Sequence, residues 1–155
     1  MSATNARSID VANAAVALLN GAPAQDAFGS FAPFTAVRDY VPLYDYENPV
    51  AGLIVTVMPA ALDESPIARL TIGGIVGIDV GVQKYATTLA DKDALMLLVE
   101  QIKSVMEKGL TLAEAAIDCG WTGTENDPAY YPDVMKTHSV FTSIPRFHYQ
   151  VRRAR

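Results

Sequence analysis

Residues Leu70 to Tyr85 read LTIGGIVGIDVGVQKY, and the alternation in this stretch decides the fold class. Val76, Ile78, Val80 and Val82 fall on one side of an extended chain, and Gly77, Asp79, Gly81 and Gln83 on the other. A period of two marks a strand with one buried face. Glycines opposite the apolar stripe predict a second element in close approach, or a strong twist. Just upstream, Gly52 to Met58 (GLIVTVM) is β-branched and closed by Pro59, so it reads as a second strand. Ala60 to Pro66, which carries Asp63, Glu64 and Pro66, reads as the exposed connection of a long hairpin joining the two.

Leu95, Leu98, Val99, Ile102, Val105 and Met106 recur at helical spacing, with Lys92, Glu100, Lys103 and Glu107 mostly opposite them. They predict an amphipathic helix capped by Asp91, ended by Gly109 and laid across one face of the sheet. Ile9 to Asn20 reads as a second helix, with Ser8 as its N-cap and Gly21 past its end. Ala22 to Pro33 is rich in Gly, Pro and Ala and reads as loop. Thr35 to Leu43 reads as a β-type run closed by Pro42, followed by a turn near Glu47-Asn48-Pro49. Thr111 and Glu114 form a capping-box pattern for a short helix through about Asp118.

Gly120 to Pro132 is turn-rich and holds Trp121, Tyr130 and Tyr131. Ser139 to Arg152 reads as one closing strand, with Phe147, Tyr149 and Val151 on one face and His148, Gln150 and Arg152 on the other. Pro145 inside it predicts a bulge or a position at the sheet edge. The expected fold is α+β: a mostly antiparallel sheet of about four strands with a long hairpin, and two main helices packed on it. The 155 residues read as a single domain with a flexible N-terminus over about residues 1–7.

Half of the residues are apolar and 19% are charged, which supports a folded chain over a disordered one. The formal charge of −5 argues against non-specific nucleic-acid binding. From Val134 onward the chain carries Lys136, Arg146, Arg152, Arg153 and Arg155 and no acidic residue. The remainder therefore holds seven basic and seventeen acidic groups, a balance of −10. An acidic body with a basic C-terminal end suits head-to-tail contact between like subunits; a solvated basic tail is the plainer reading. One cysteine, Cys119, allows no intrachain disulfide and fits a reducing compartment. Residues 1–7 show no signal-peptide pattern, and no run of about 18 apolar residues predicts a membrane span.

The sequence offers little reactive chemistry. His138 and His148 have no metal-ligand spacing with each other or with Cys119, so neither a metal nor a cofactor is expected. Cys119 reads as a buried structural thiol before it reads as a nucleophile. Ile72 to Gly77 is rich in glycine but lacks the Lys-Ser/Thr of a phosphate loop and runs into a strand, not a helix. Asp39, Asp45, Glu47 and Asp79 have no sequence partner at catalytic spacing. No catalytic residue is assigned.

Three stretches together carry a family resemblance. They are Ile78 to Lys84 (IDVGVQK) leading into the Leu95 to Met106 helix, Thr124 to Tyr130 (TENDPAY), and Phe141 to Ile144 (FTSI). In this order they resemble small minor structural proteins of tailed bacteriophages and prophages placed near the head–tail junction. The element order is similar to that of tail terminator (tail completion) proteins. The match spans roughly Gly52 to Val151 and departs from the pattern at Pro145 and between Leu110 and Cys119. The resemblance implies a non-enzymatic virion protein, assembled in the host cytoplasm into a homo-oligomeric, typically hexameric, ring. Such a ring caps the tail tube, stops its polymerisation and meets the head–tail connector, with no membrane or sequence-specific nucleic-acid partner. A closed ring needs two different complementary surfaces on each subunit. Arg146, Arg152, Arg153 and Arg155 are candidates for one of them. Trp121, Tyr130 and Tyr131 are candidate anchors, or else a loop folded over the domain's own core. A neck or head-completion protein of the same junction, and a small cytosolic enzyme or ligand-binding domain, are the alternatives.

Overall fold

The computed structural model describes residues 6–47, 52–112 and 117–154. Its elements in chain order are α1 (Arg7–Asn20), α2 (Ala22–Ala27), a 3-10 turn (Gly29–Phe31), β1 (Ala36–Arg38), β2 (Ile54–Ala68) and β3 (Thr71–Tyr85). There follow α3 (Leu89–Met106), β4 (Leu110–Leu112), β5 (Ile117–Glu125), α4 (Pro132–His138), β6 (Val140–Ser143) and β7 (Arg146–Ala154). The strands form one sheet in the order β1-β2-β3-β7-β5-β4, with β6 pairing β3 beside β7.

β3 is the spine of the sheet. Val76, Ile78, Val80 and Val82 are fully buried on its core face. On the other face the absent side chains matter at three glycines, of which Gly73 is the tightest, with a Cβ there 2.9 Å from the Ile67 Cγ2. A Cβ on Gly77 would lie 3.1 Å from the Ala61 Cβ and 3.3 Å from the Arg146 Cδ, and one on Gly81 would lie 3.3 Å from the Met58 Cε. The close approach foreseen from the glycines is therefore made by β2 and by a β7 side chain.

The β2–β3 hairpin is longer than the sequence suggests. Its ladder runs from Ile54↔Gln83 to Ala68↔Thr71, with a register shift between Pro59 and Ala61. Pro59 does not end the strand; the irregularity there accommodates it, and residues 60–66 continue as β structure instead of a loop.

Two helices cover the core face. α3 buries Leu95, Leu98, Val99, Ile102, Val105 and Met106, the full stripe read from the sequence. Burying side chains of this size contributes about 1.5–3 kcal/mol each. Its N-cap is Thr88, whose Oγ1 accepts from the Asp91 N–H at 3.1 Å, and the chain turns away at Gly109 with φ +92°. α1 buries Val11, Ala12, Ala15 and Leu19 against the same core, small residues letting it lie close. It starts at Arg7, so Ser8 lies inside the helix and Ala6 takes the cap position.

The expectation of about four mostly antiparallel strands with two helices is corrected: among the described residues there are seven strands and four α-helices in a curled, mixed sheet. β1 pairs β2 in parallel and spans only three residues of the run expected from Thr35 to Leu43. Residues 110–112 and 117–119 form an antiparallel pair in place of the capping-box helix. Leu110 and Cys119, both buried, supply apolar burial that outweighs the local cap signal of Thr111; Glu114 lies outside the described residues. The closing strand is split at Ile144-Pro145 into β6 and β7, and both parts pair β3. From Arg146 to Gln150, next to Pro145, β7 is flanked by both β3 and β5, so that part is interior and not an edge. Pro145 sits in the gap between them, where its carbonyl still accepts from the Val80 N–H at 3.0 Å. α2 and α4 each carry Pro at the helix start, a position where its missing N–H costs nothing, so prolines that signalled loop or turn instead begin helices.

Candidate assembly surface

The proposed surface residues fall into three places. Trp121 and Tyr130 are partly exposed, and Tyr131 is half-buried. Trp121 lies on β5, where its Nε1–H donates to the Thr124 Oγ1 at 2.9 Å. Tyr131 sits at the start of α4 and its backbone N–H donates to the Thr142 carbonyl at 3.0 Å. Tyr130 instead lines a groove of about 300 Å³ between α3, α4 and β6, together with Leu89, Met96, Met135 and Phe141. The aromatic residues of this region are therefore not one cluster.

Arg146 already has a partner within the chain. Its Nε donates to the Asp79 Oδ1 at 2.7 Å and its Nη2 to the Oδ2 at 3.2 Å. Asp79 and Arg146 are register partners on β3 and β7, and Glu125 of β5 stands opposite Arg146 on its other side. Donating these hydrogen bonds to Asp79 raises the Arg146 pKa above its ordinary value. Next to this row, the His148 Nε2 lies 3.5 Å from the Glu125 Oε1.

Arg152 is exposed on β7 and its backbone pairs with Gly73. Arg153 pairs with Ile72 through the backbone, and Arg155 lies outside the described residues. Beyond Gly120↔Gln150, β5 no longer pairs with β7. The last stretch of β7 therefore runs with the outer half of the β2–β3 hairpin as a three-stranded arm. On β2 this arm is exposed at almost every position from residue 60 to residue 68, and Leu62, Ile67 and Leu70 present apolar side chains to solvent. Sequence reading missed the arm, because Pro59, Asp63, Glu64 and Pro66 are residues that edge strands and loops share.

Cys119 is buried in the core. His138 is exposed, and its ring lies tilted against that of Tyr46 with centroids 4.8 Å apart. Tyr46 in turn accepts from the Gln83 Nε2 at 3.0 Å, and the Gln83 Oε1 accepts from the Tyr44 N–H at 3.3 Å. Gln83 is itself buried, so this pair of bonds fastens the segment around residues 44–46 to β3. Among the described residues there is no group of three or more His, Cys, Asp or Glu that could hold a metal ion. No helix among them is long and apolar enough to cross a membrane.

No protein-family model matches the sequence, and no curated protein matches it. The fold does have a counterpart among solved structures. A chain of the virion of a native gene transfer agent particle superposes with a TM-score of 0.60 and 15% sequence identity. The likeness covers 92% of this chain and 95% of that one. At this identity it carries the fold, over almost the whole of both chains.

Proposed function

We propose that the chain is a virion structural protein of a tailed phage or phage-like particle, acting by assembly and not by catalysis. The observation that carries this reading is the end-to-end fold likeness to a chain of a gene transfer agent virion. Within that class, the order of elements favours a tail terminator: a ring of identical subunits, six in number, that caps the tail tube and meets the head connector. Its subunit contacts draw on Arg152, Arg153 and Arg155 and on Trp121, Tyr130 and Tyr131, while Arg146 serves chiefly to hold β7 to β3 through Asp79. A heterologous contact that closes into a ring uses two different surfaces, and the acidic body and basic β7 supply opposite charges for them.

Immunogold labelling of purified particles tests the placement. Label at the junction of head and tail supports a terminator. Label on the capsid shell or along the tail shaft contradicts it, and particles that carry none of the protein contradict the structural role altogether.

A further inference from the structure

The three-stranded arm has two open edges of opposite charge. On one side, β1 pairs β2 only at Val55, Val57 and the residue between them, so among the described residues no strand pairs the outer edge of β2 beyond residue 57. That edge carries Asp63 and Glu64, with Leu62 and Ile67 both about half exposed. On the other side, β5 leaves β7 after Gln150, and among the described residues no strand pairs residues 151–154 except β3. That edge carries Arg152, followed in sequence by Arg153.

The register sets the spacing of the two edges within one subunit. Ser65 and Arg152 both face Gly73, one from β2 and the other from β7. They stand two strand spacings apart, about 10 Å. Exposed edges with apolar side chains are a template for pairing with another chain. Here each edge has the charge the other lacks.

Resting on the ring reading above, we propose that the β2 edge around residues 62–67 of one subunit receives the β7 edge at residues 151–154 of the next, continuing the sheet from copy to copy. β2 and β7 are both antiparallel to β3 and so run in the same direction. A head-to-tail operation therefore brings them together as parallel strands. The contact uses different surfaces on the two copies, as ring closure demands, and closure leaves neither edge open. The main-chain bonds supply the pairing and the charges set its polarity, so that β2 does not meet β2.

The test is a charge exchange read by sedimentation velocity at low salt. Asp63→Lys and Arg152→Glu, singly, each raise the concentration needed for half-assembly by about ten-fold or more, since like charges then face each other. The double variant returns it to within about three-fold of the wild type, with unchanged circular dichroism in all three. If the wild type assembles and the single variants assemble equally well, or the double variant shows no recovery, the ring reading stands and this contact is wrong. If the wild type stays monomeric at every concentration, both are overturned.

Discussion

Asp79 and Arg146 stand directly opposite each other on neighbouring strands and are joined by two hydrogen bonds of 2.7 and 3.2 Å. The pair is 67 residues apart in sequence and partly open to solvent, with side chains 19% and 38% exposed. Its fork geometry is good, but screening limits its worth. Arg146→Ala and Asp79→Asn each destabilise the fold by about 0.5–1.5 kcal/mol, and a double-mutant cycle gives a coupling of about 0.5–1 kcal/mol. Urea unfolding of the four proteins measures it.

Ile102 is fully buried at the centre of the α3 stripe. Ile102→Ala removes buried methylenes and leaves a cavity, a loss of about 2–5 kcal/mol. Ile102→Asp adds an unpaired charge and leaves no cooperative thermal transition. A variant that melts like the wild type would show that this face does not meet the sheet.

Gln83 donates to Tyr46 and accepts from Tyr44, so it ties the segment around residues 44–46 to the end of β3. Gln83→Leu removes both bonds while filling the same space. Amide exchange at Tyr44 then rises by at least about ten-fold, the equivalent of about 1.4 kcal/mol in local opening, while amides in the centre of β3 keep their protection.

Tyr149 is buried and its hydroxyl donates to the Met106 carbonyl at 2.8 Å, bonding β7 to the last turn of α3. Burial first, and then the nearby Glu107 and Cys119, raise its pKa far above the ordinary tyrosine value. The neutral form is thus favoured by the native state. Its contribution is complete below about pH 10, where unfolded tyrosine is also neutral, and is lost as pH rises above that value and the unfolded chain ionises. In a spectrophotometric titration Tyr149 ionises only with unfolding. Tyr149→Phe loses about 0.5–1.5 kcal/mol at neutral pH and removes part of the alkaline decline.

Legibility in the sequence followed burial. The faces of β3 and α3 could be read because each packs one whole side of a regular element into the core, and the periodicity records that directly. The outer half of β2 could not, because a strand with one free edge tolerates Pro59 and Pro66 and favours charges such as Asp63. The short helix expected after Thr111 gave way to a strand pair because Leu110 and Cys119 bury together, a tertiary gain that no local cap records. For the candidate surface, Arg152 emerged exposed, but the partner of Arg146 was hidden by sequence distance. Only the register of the sheet brings Asp79 to it.

We propose that this chain works by assembling with copies of itself, and native mass spectrometry of the purified 16.6 kDa chain over a concentration series puts this to the test. The expected result is a single closed oligomer, six subunits in mass, that falls apart as salt is raised because its contacts include exposed charge pairs. A monomer at every concentration and salt, or an open ladder of sizes with no closed species, would contradict it.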